Sequence, residues 1–81
     1  QLEKFPNLYL KDFFDLNLSN NKIKIIEKNQ LVDILKLRIL DLGLNELIEI
    51  GPNVFHNLRS LVMLNLNSNK LHYLHSNLLK N

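Results

Sequence analysis

The chain has 81 residues, a length that suits one domain, and a net charge of +2 spread along it with lysines and acids interleaved. That interleaving describes a solvated surface rather than the clustered basic and aromatic face that nucleic acid requires, and no apolar run is long enough to cross a bilayer. Cysteine is absent, which excludes a disulfide framework and a cysteine-based zinc site within this segment.

Residues 1–12 carry no clean strand frame. Leu10 lies 24 residues before Ile34 and 48 before Leu58, so it fits the tail of a preceding, partial repeat, and Phe5 and Leu8 are expected to cover the top of the core. No amino-terminal signal peptide is visible. Residues 13–36 then set a frame of Phe13, Leu16, Leu18, Asn21, Ile23 and Ile26. A strand is expected over about Phe14 to Leu18, a bend at Ser19-Asn20-Asn21, and an exposed limb after it. Leu31, Ile34 and Leu35 fall at helical spacing, which predicts a helical turn within Asn29 to Leu35.

Residues 37–60 return the frame 24 positions later as Leu37, Leu40, Leu42, Asn45, Leu47 and Ile50. The strand is expected at Ile39 to Leu42. Gly43 follows it, either to let a neighbour approach closely or to ease the bend. Leu44 stands where Asn20 and Ser68 stand in the other copies. Gly51-Pro52-Asn53 is a turn signal, and Phe55 is the large core residue of an expected apolar spine Leu31–Phe55–Leu79. Residues 61–81 repeat the frame once more, incompletely, as Leu61, Leu64, Leu66, Asn69, Leu71 and Leu74, with a strand at about Met63 to Leu66.

Alternation at Leu16/Leu18, Leu40/Leu42 and Leu64/Leu66 is strand periodicity, with the leucines on one side and their neighbours on the other. Asparagine recurs at one fixed place after each strand. Its amide has two donors and an acceptor, so Asn21, Asn45 and Asn69 are expected to stack as a hydrogen-bonded structural ladder where the chain bends. A buried amide is costly unless paired, which gives a reason for the recurrence.

The pattern L-x-x-L-x-L-x-x-N-x-L resembles the leucine-rich repeat signature over nearly the whole chain. The second halves resemble the 24-residue typical class, fitted fully by Ile50, Phe55 and Leu58, with leucine replacing phenylalanine in Ile26, Leu31 and Ile34. The resemblance implies a repeat solenoid of the α/β class: a horseshoe fragment with a short parallel concave β-sheet and irregular or short-helical convex limbs. It also implies an extracellular setting, since this class is similar to Toll-like receptor ectodomains, Slit-like guidance proteins and lamprey-type variable receptors. The chain is expected to be part of a longer ectodomain, because its last repeat would leave Leu71, Leu74, Leu78 and Leu79 facing outward without a cap.

His56, His72 and His75 fall in exposed columns with no completing carboxylate or cysteine, so no metal site is expected. None of the four serines sits in a nucleophile elbow, and with two glycines there is no phosphate-binding loop, so neither enzymatic activity nor a cofactor is expected. Asn17-Leu18-Ser19 matches the N-glycosylation sequon. The remaining candidate is the concave strand face, with columns Asp15/Ile39/Met63, Asn17/Asp41/Asn65 and Ser19/Gly43/Asn67, flanked by Phe14/Arg38/Val62 and Asn20/Leu44/Ser68. Ile39, Met63, Val62 and Leu44 place apolar groups where a solvated face would be polar, beside Asp15, Asp41 and Arg38.

A stack of repeats presents a wide surface without a cleft for chemistry, so the leading expectation is a protein-recognition module, with innate-immune recognition first and developmental or adhesion signalling second. The partner is expected to be another protein, with a homodimer or contact with flanking repeats also open. A structural spacer and an intracellular adaptor are the readings from other classes.

Overall fold

The structure is a computed structural model that describes residues 1–5, 14–27, 30–31, 34, 36–51, 53–55 and 58–71. Five short strands organise it: β1 (Asp15–Asn17), β2 (Ile25–Ile26), β3 (Ile39–Asp41), β4 (Glu49–Ile50) and β5 (Met63–Asn65). Strands β1, β3 and β5 form one parallel sheet in that order, with Leu16 opposite Leu40 and Leu40 opposite Leu64. Parallel neighbours cannot be joined by a tight turn and need a crossover of about a dozen or more residues. The 24-residue step between paired positions supplies it, and the crossover carries the next part of the core.

That core is a column of in-frame positions. Leu18, Leu40 and Leu42 are buried under the sheet, followed by Ile23 and Leu47, Ile26 and Ile50, Leu31 and Phe55, Ile34 and Leu58, and Leu37. Leu16, Leu61, Leu64, Leu66 and Leu71 pack against it while half-buried. Of the expected spine, Leu31 and Phe55 are in the core, and Leu79 lies outside the described residues, as do Leu8, Leu74 and Leu78.

The limb differs from the expectation of an irregular or short-helical run. Strands β2 and β4 pair in parallel, Ile26 opposite Ile50, so the crossover contains a second, two-stranded sheet. The 24-residue crossover sets the two segments side by side, and composition favours the pairing: Ile25, Ile26 and Ile50 are β-branched, stiff at χ1 and suited to a half-buried pleat. Ile26 and Ile50 point inward, while Ile25 and Glu49 are exposed. Past this pair the described residues make tight turns of the 3₁₀ type, each closed by a bond between residues three apart. Gln30 donates to the Glu27 carbonyl, Ile34 to Leu31 and Leu37 to Ile34, while the Gln30 side-chain oxygen takes the Glu27 N–H at 2.8 Å. The same turns recur from Leu58 to Phe55 and from Leu61 to Leu58.

The amino-terminal segment is less degenerate than its sequence suggests. The Leu2 N–H donates to Asn21 Oδ1 at 2.7 Å, as Ile23 donates to Asn45 and Leu47 to Asn69. The Leu2 carbonyl then accepts from Lys22, as Ile23 accepts from Glu46 and Leu47 from Lys70. Leu2 therefore stands in the column of Ile23 and Leu47, and Phe5 stands in that of Ile26 and Ile50, buried to 6 % exposure. The step from Leu2 to Ile23 is 21 residues rather than 24, which is why a search at a fixed period passes over it.

Candidate functional site

The outward face of the β1–β3–β5 sheet is built by three local devices that repeat at each strand exit. The first is a turn closed by a side-chain oxygen. Asn17 Oδ1 accepts from the Ser19 N–H, Asp41 Oδ1 from Gly43 and Asn65 Oδ1 from Asn67, each at 2.9 Å. Asparagine and aspartate are suited to this because their short side chains mimic a backbone carbonyl two residues back. The column Asn17/Asp41/Asn65 is thus occupied by the local fold before any partner is considered.

The second device is a left-handed residue three positions on. Asn20, Leu44 and Ser68 have φ of 59°, 55° and 61°. The third is the inward asparagine. Asn45, 6 % exposed, donates through Nδ2 to the carbonyls of Leu42, Gly43 and Leu18 and accepts from the Ile23 N–H. Asn69 does the same for Leu66, Asn67, Leu42 and Leu47. Asn21 bonds Leu18, Ser19 and Leu2. The amides do not bond one another; Asn45 and Asn69 each tie the bend of their own copy to the backbone of the copy before, and Asn21 ties its bend to Leu2. Among the described residues no buried side-chain polar atom lacks a partner.

Gly43 resolves the choice its sequence left open. Its φ is not positive, and a Cβ there would lie 2.9 Å from Asn65 Nδ2 and 3.2 Å from Asp41 Oδ1. Those two atoms are hydrogen-bonded to each other at 3.0 Å, so glycine is favoured here by close approach rather than by the bend.

On this frame Asp15, Asn17, Arg38 and Asn67 are exposed, and Asp41 and Asn65 are half-buried by their mutual contact. Of the apolar group, Val62 is 73 % exposed, Leu44 59 % and Met63 58 %. Ile39 is only half-buried, because it sits on the central strand between Asp15 and Met63 in register. Arg38 and Val62 adjoin through the Val62 N–H, which donates to the Arg38 carbonyl.

A second surface has no counterpart in the strand pattern. An open depression lies between the amino-terminal segment and β2, lined by Glu3, Lys4, Phe5, Lys24, Ile25, Glu27 and Gln30. Nearby Leu2 and Ile48 are also exposed. The missed signal was the offset frame Leu2-x-x-Phe5, which places Lys4 in the column of Ile25 and Glu49. Its acids and lysines alternate, and no nucleophile converges on it. His56, His72 and His75 lie outside the described residues; among those described, no three His, Asp or Glu side chains are placed to hold a metal ion. No helix among the described residues is long and apolar enough to cross a membrane.

Parallel strand–bend units locked by one asparagine per copy, with an open sheet face, define a repeat protein that presents a surface. The family model described as leucine rich repeat matches residues 14–71, and the chain belongs to that family. Leucine-rich repeat domains are generally protein-interaction modules and generally not enzymes. No curated protein and no solved structure matches the chain significantly.

Proposed function

We propose that the chain is the protein-binding part of an extracellular recognition protein, a receptor ectodomain or a secreted factor of innate-immune type. The β1–β3–β5 face is the concave, partner-binding side of a horseshoe. The observation that carries the binding reading is Leu44. Its φ of 55° is a conformation that costs an ordinary L-residue about 1–2 kcal/mol, and its side chain is exposed rather than packed in the core. The same position is filled by polar residues in the neighbouring copies, Asn20 and Ser68, of which asparagine bears that conformation more easily. The conformation itself belongs to the bend, where the Leu44 N–H donates to the Asn67 carbonyl, but the exposed leucine side chain adds nothing to the core, and a partner surface gives a reason for leucine at a place that asparagine fills at lower cost. With Val62 and Met63, Leu44 supplies apolar anchors beside Arg38 and Asp41, a mixture suited to a protein surface. The 24-residue frame ending in Ile50, Phe55 and Leu58 supports the extracellular class.

The test is paired capture of proteins from the extracellular fluid of the source tissue. Wild-type chain is compared with Leu44→Asn, Met63→Glu and a control, Glu27→Gln, on the opposite limb. A partner retained by wild type and the control but lost by both face variants is the expected result. Equal retention by all four moves the contact away from the sheet face.

A further inference from the structure

We infer that Asn17 is an N-glycosylation site and that its glycan covers the β1 end of the sheet face, leaving the β3–β5 side for the partner. This inference rests on the extracellular reading above. Asn17-Leu18-Ser19 is a sequon, and the three equivalent strand exits show what is particular to it. All three use the side-chain oxygen at the first position to accept the N–H two residues on, so the turn needs no hydroxyl. The third position is glycine in one copy and asparagine in another. Ser19 alone adds a second donor, its Oγ–H, to Asn17 Oδ1 at 2.6 Å. That bond polarises the amide toward its oxygen and makes the Nδ2 hydrogens more acidic. The pair is contiguous in sequence, so it forms without the rest of the fold.

The folded chain also tolerates the product. Asn17 is exposed, and its Nδ2 has no hydrogen-bond partner among the described residues, whereas Nδ2 of Asn65 in the same column donates to Asp41. Replacing one Nδ2 hydrogen by a sugar therefore breaks neither the turn nor a cross-strand bond. In the transfer, Nδ2 forms a bond to the anomeric carbon of a lipid-linked oligosaccharide pyrophosphate. The bond from that carbon to the phosphate oxygen breaks, the lipid pyrophosphate leaves with the electron pair, and the amide proton passes to a base of the transferase. A glycan at Asn17 flanks Asp15 and removes both from the protein contact, so the anchors that remain are Leu44, Val62 and Met63.

The test takes the native protein from its source, fractionates it as extracellular or cytosolic, and reads the mass of the peptide holding Asn17 before and after peptide-N-glycosidase. Protein found outside the cell, with a glycan lost on treatment and Asn17 converted to aspartate, is the expected result. Protein found outside the cell with a bare Asn17 overturns this inference and leaves the extracellular reading standing; protein found only in the cytosol overturns both. Full-length protein secreted from a glycosylating cell line supplies the residue-level arm. Ser19→Gly and Asn17→Asp each place the second copy's own residue at that position, so the turn is preserved, and both are expected to be secreted without the glycan. A glycan that persists at the same peptide in either variant overturns the assignment to this sequon.

Discussion

Asn45 is the residue on which the bend depends most. Its amide satisfies four backbone groups, all enclosed between two copies of the repeat. Leaving a buried donor or acceptor unpaired costs about 1–3 kcal/mol each, so Asn45→Ala is expected to cost about 3 kcal/mol or more by urea denaturation. Asn21→Ala should cost less, because Asn21 is half-buried and joins fewer carbonyls. Leu44 points the other way. Leu44→Asn is expected to stabilise the chain by about 1 kcal/mol, since asparagine bears the left-handed conformation at lower cost, and the gain should appear as a higher denaturation midpoint. A gain in stability joined to a loss of partner separates a functional leucine from a structural one. Gly43→Ala is expected to displace the Asn65 amide and cost about 1 kcal/mol, with much of that cost gone in an Asn65→Ala background. Additive costs in that cycle would place the strain elsewhere.

Among the elements, the three strands of the larger sheet have the same sequence frame and unequal surroundings. Leu40 on β3 is fully buried between two neighbours, while Leu64 on β5 is half-buried. Leu40→Ala is therefore expected to cost about 3–5 kcal/mol and Leu64→Ala clearly less, both read from chemical denaturation. Equal costs would show that β5 is covered as fully as β3. The strand positions were legible in the sequence because leucine alternation at Leu16/Leu18 and its returns has only one reading at that spacing. The β2–β4 pair was not. Two residues are too few for a period, and Ile25-Ile26 and Glu49-Ile50 become strands only because the 24-residue crossover sets them side by side.

At the scale of the molecule, the amino-terminal segment closes the core at the first copy. Phe5 is buried in the column of Ile26 and Ile50, and Leu2 pairs with the backbone at Asn21 and Lys22. Each unit of a repeat protein is covered by its neighbour, and residues 2–5 supply that cover for the first full copy. Phe5→Ala is expected to cost about 3 kcal/mol or more in the global unfolding transition. A small effect confined to hydrogen exchange near Leu2 would make the segment an ornament on a core that is already closed.

Sequence by itself determined the repeat, its period and the membership of Leu40, Leu42, Leu47 and Phe55 in the core, while the parallel sheet was an implication of the leucine-rich repeat resemblance. The repeat, its period and that core membership follow from spacing, since a residue that recurs every 24 positions meets its own copies. Only the tertiary structure decided how much of each outward side chain reaches solvent, and why each stands there. Ile39 and Met63 share a column, yet among the described residues one is shielded by strands on both sides and the other on one side only. Asp41 and Asn65 are spelled like contact residues and are engaged with each other, while Leu44, outward by its column, stands there at positive φ. Exposure and strain depend on neighbours brought close by the fold, and a one-dimensional pattern carries no measure of that distance.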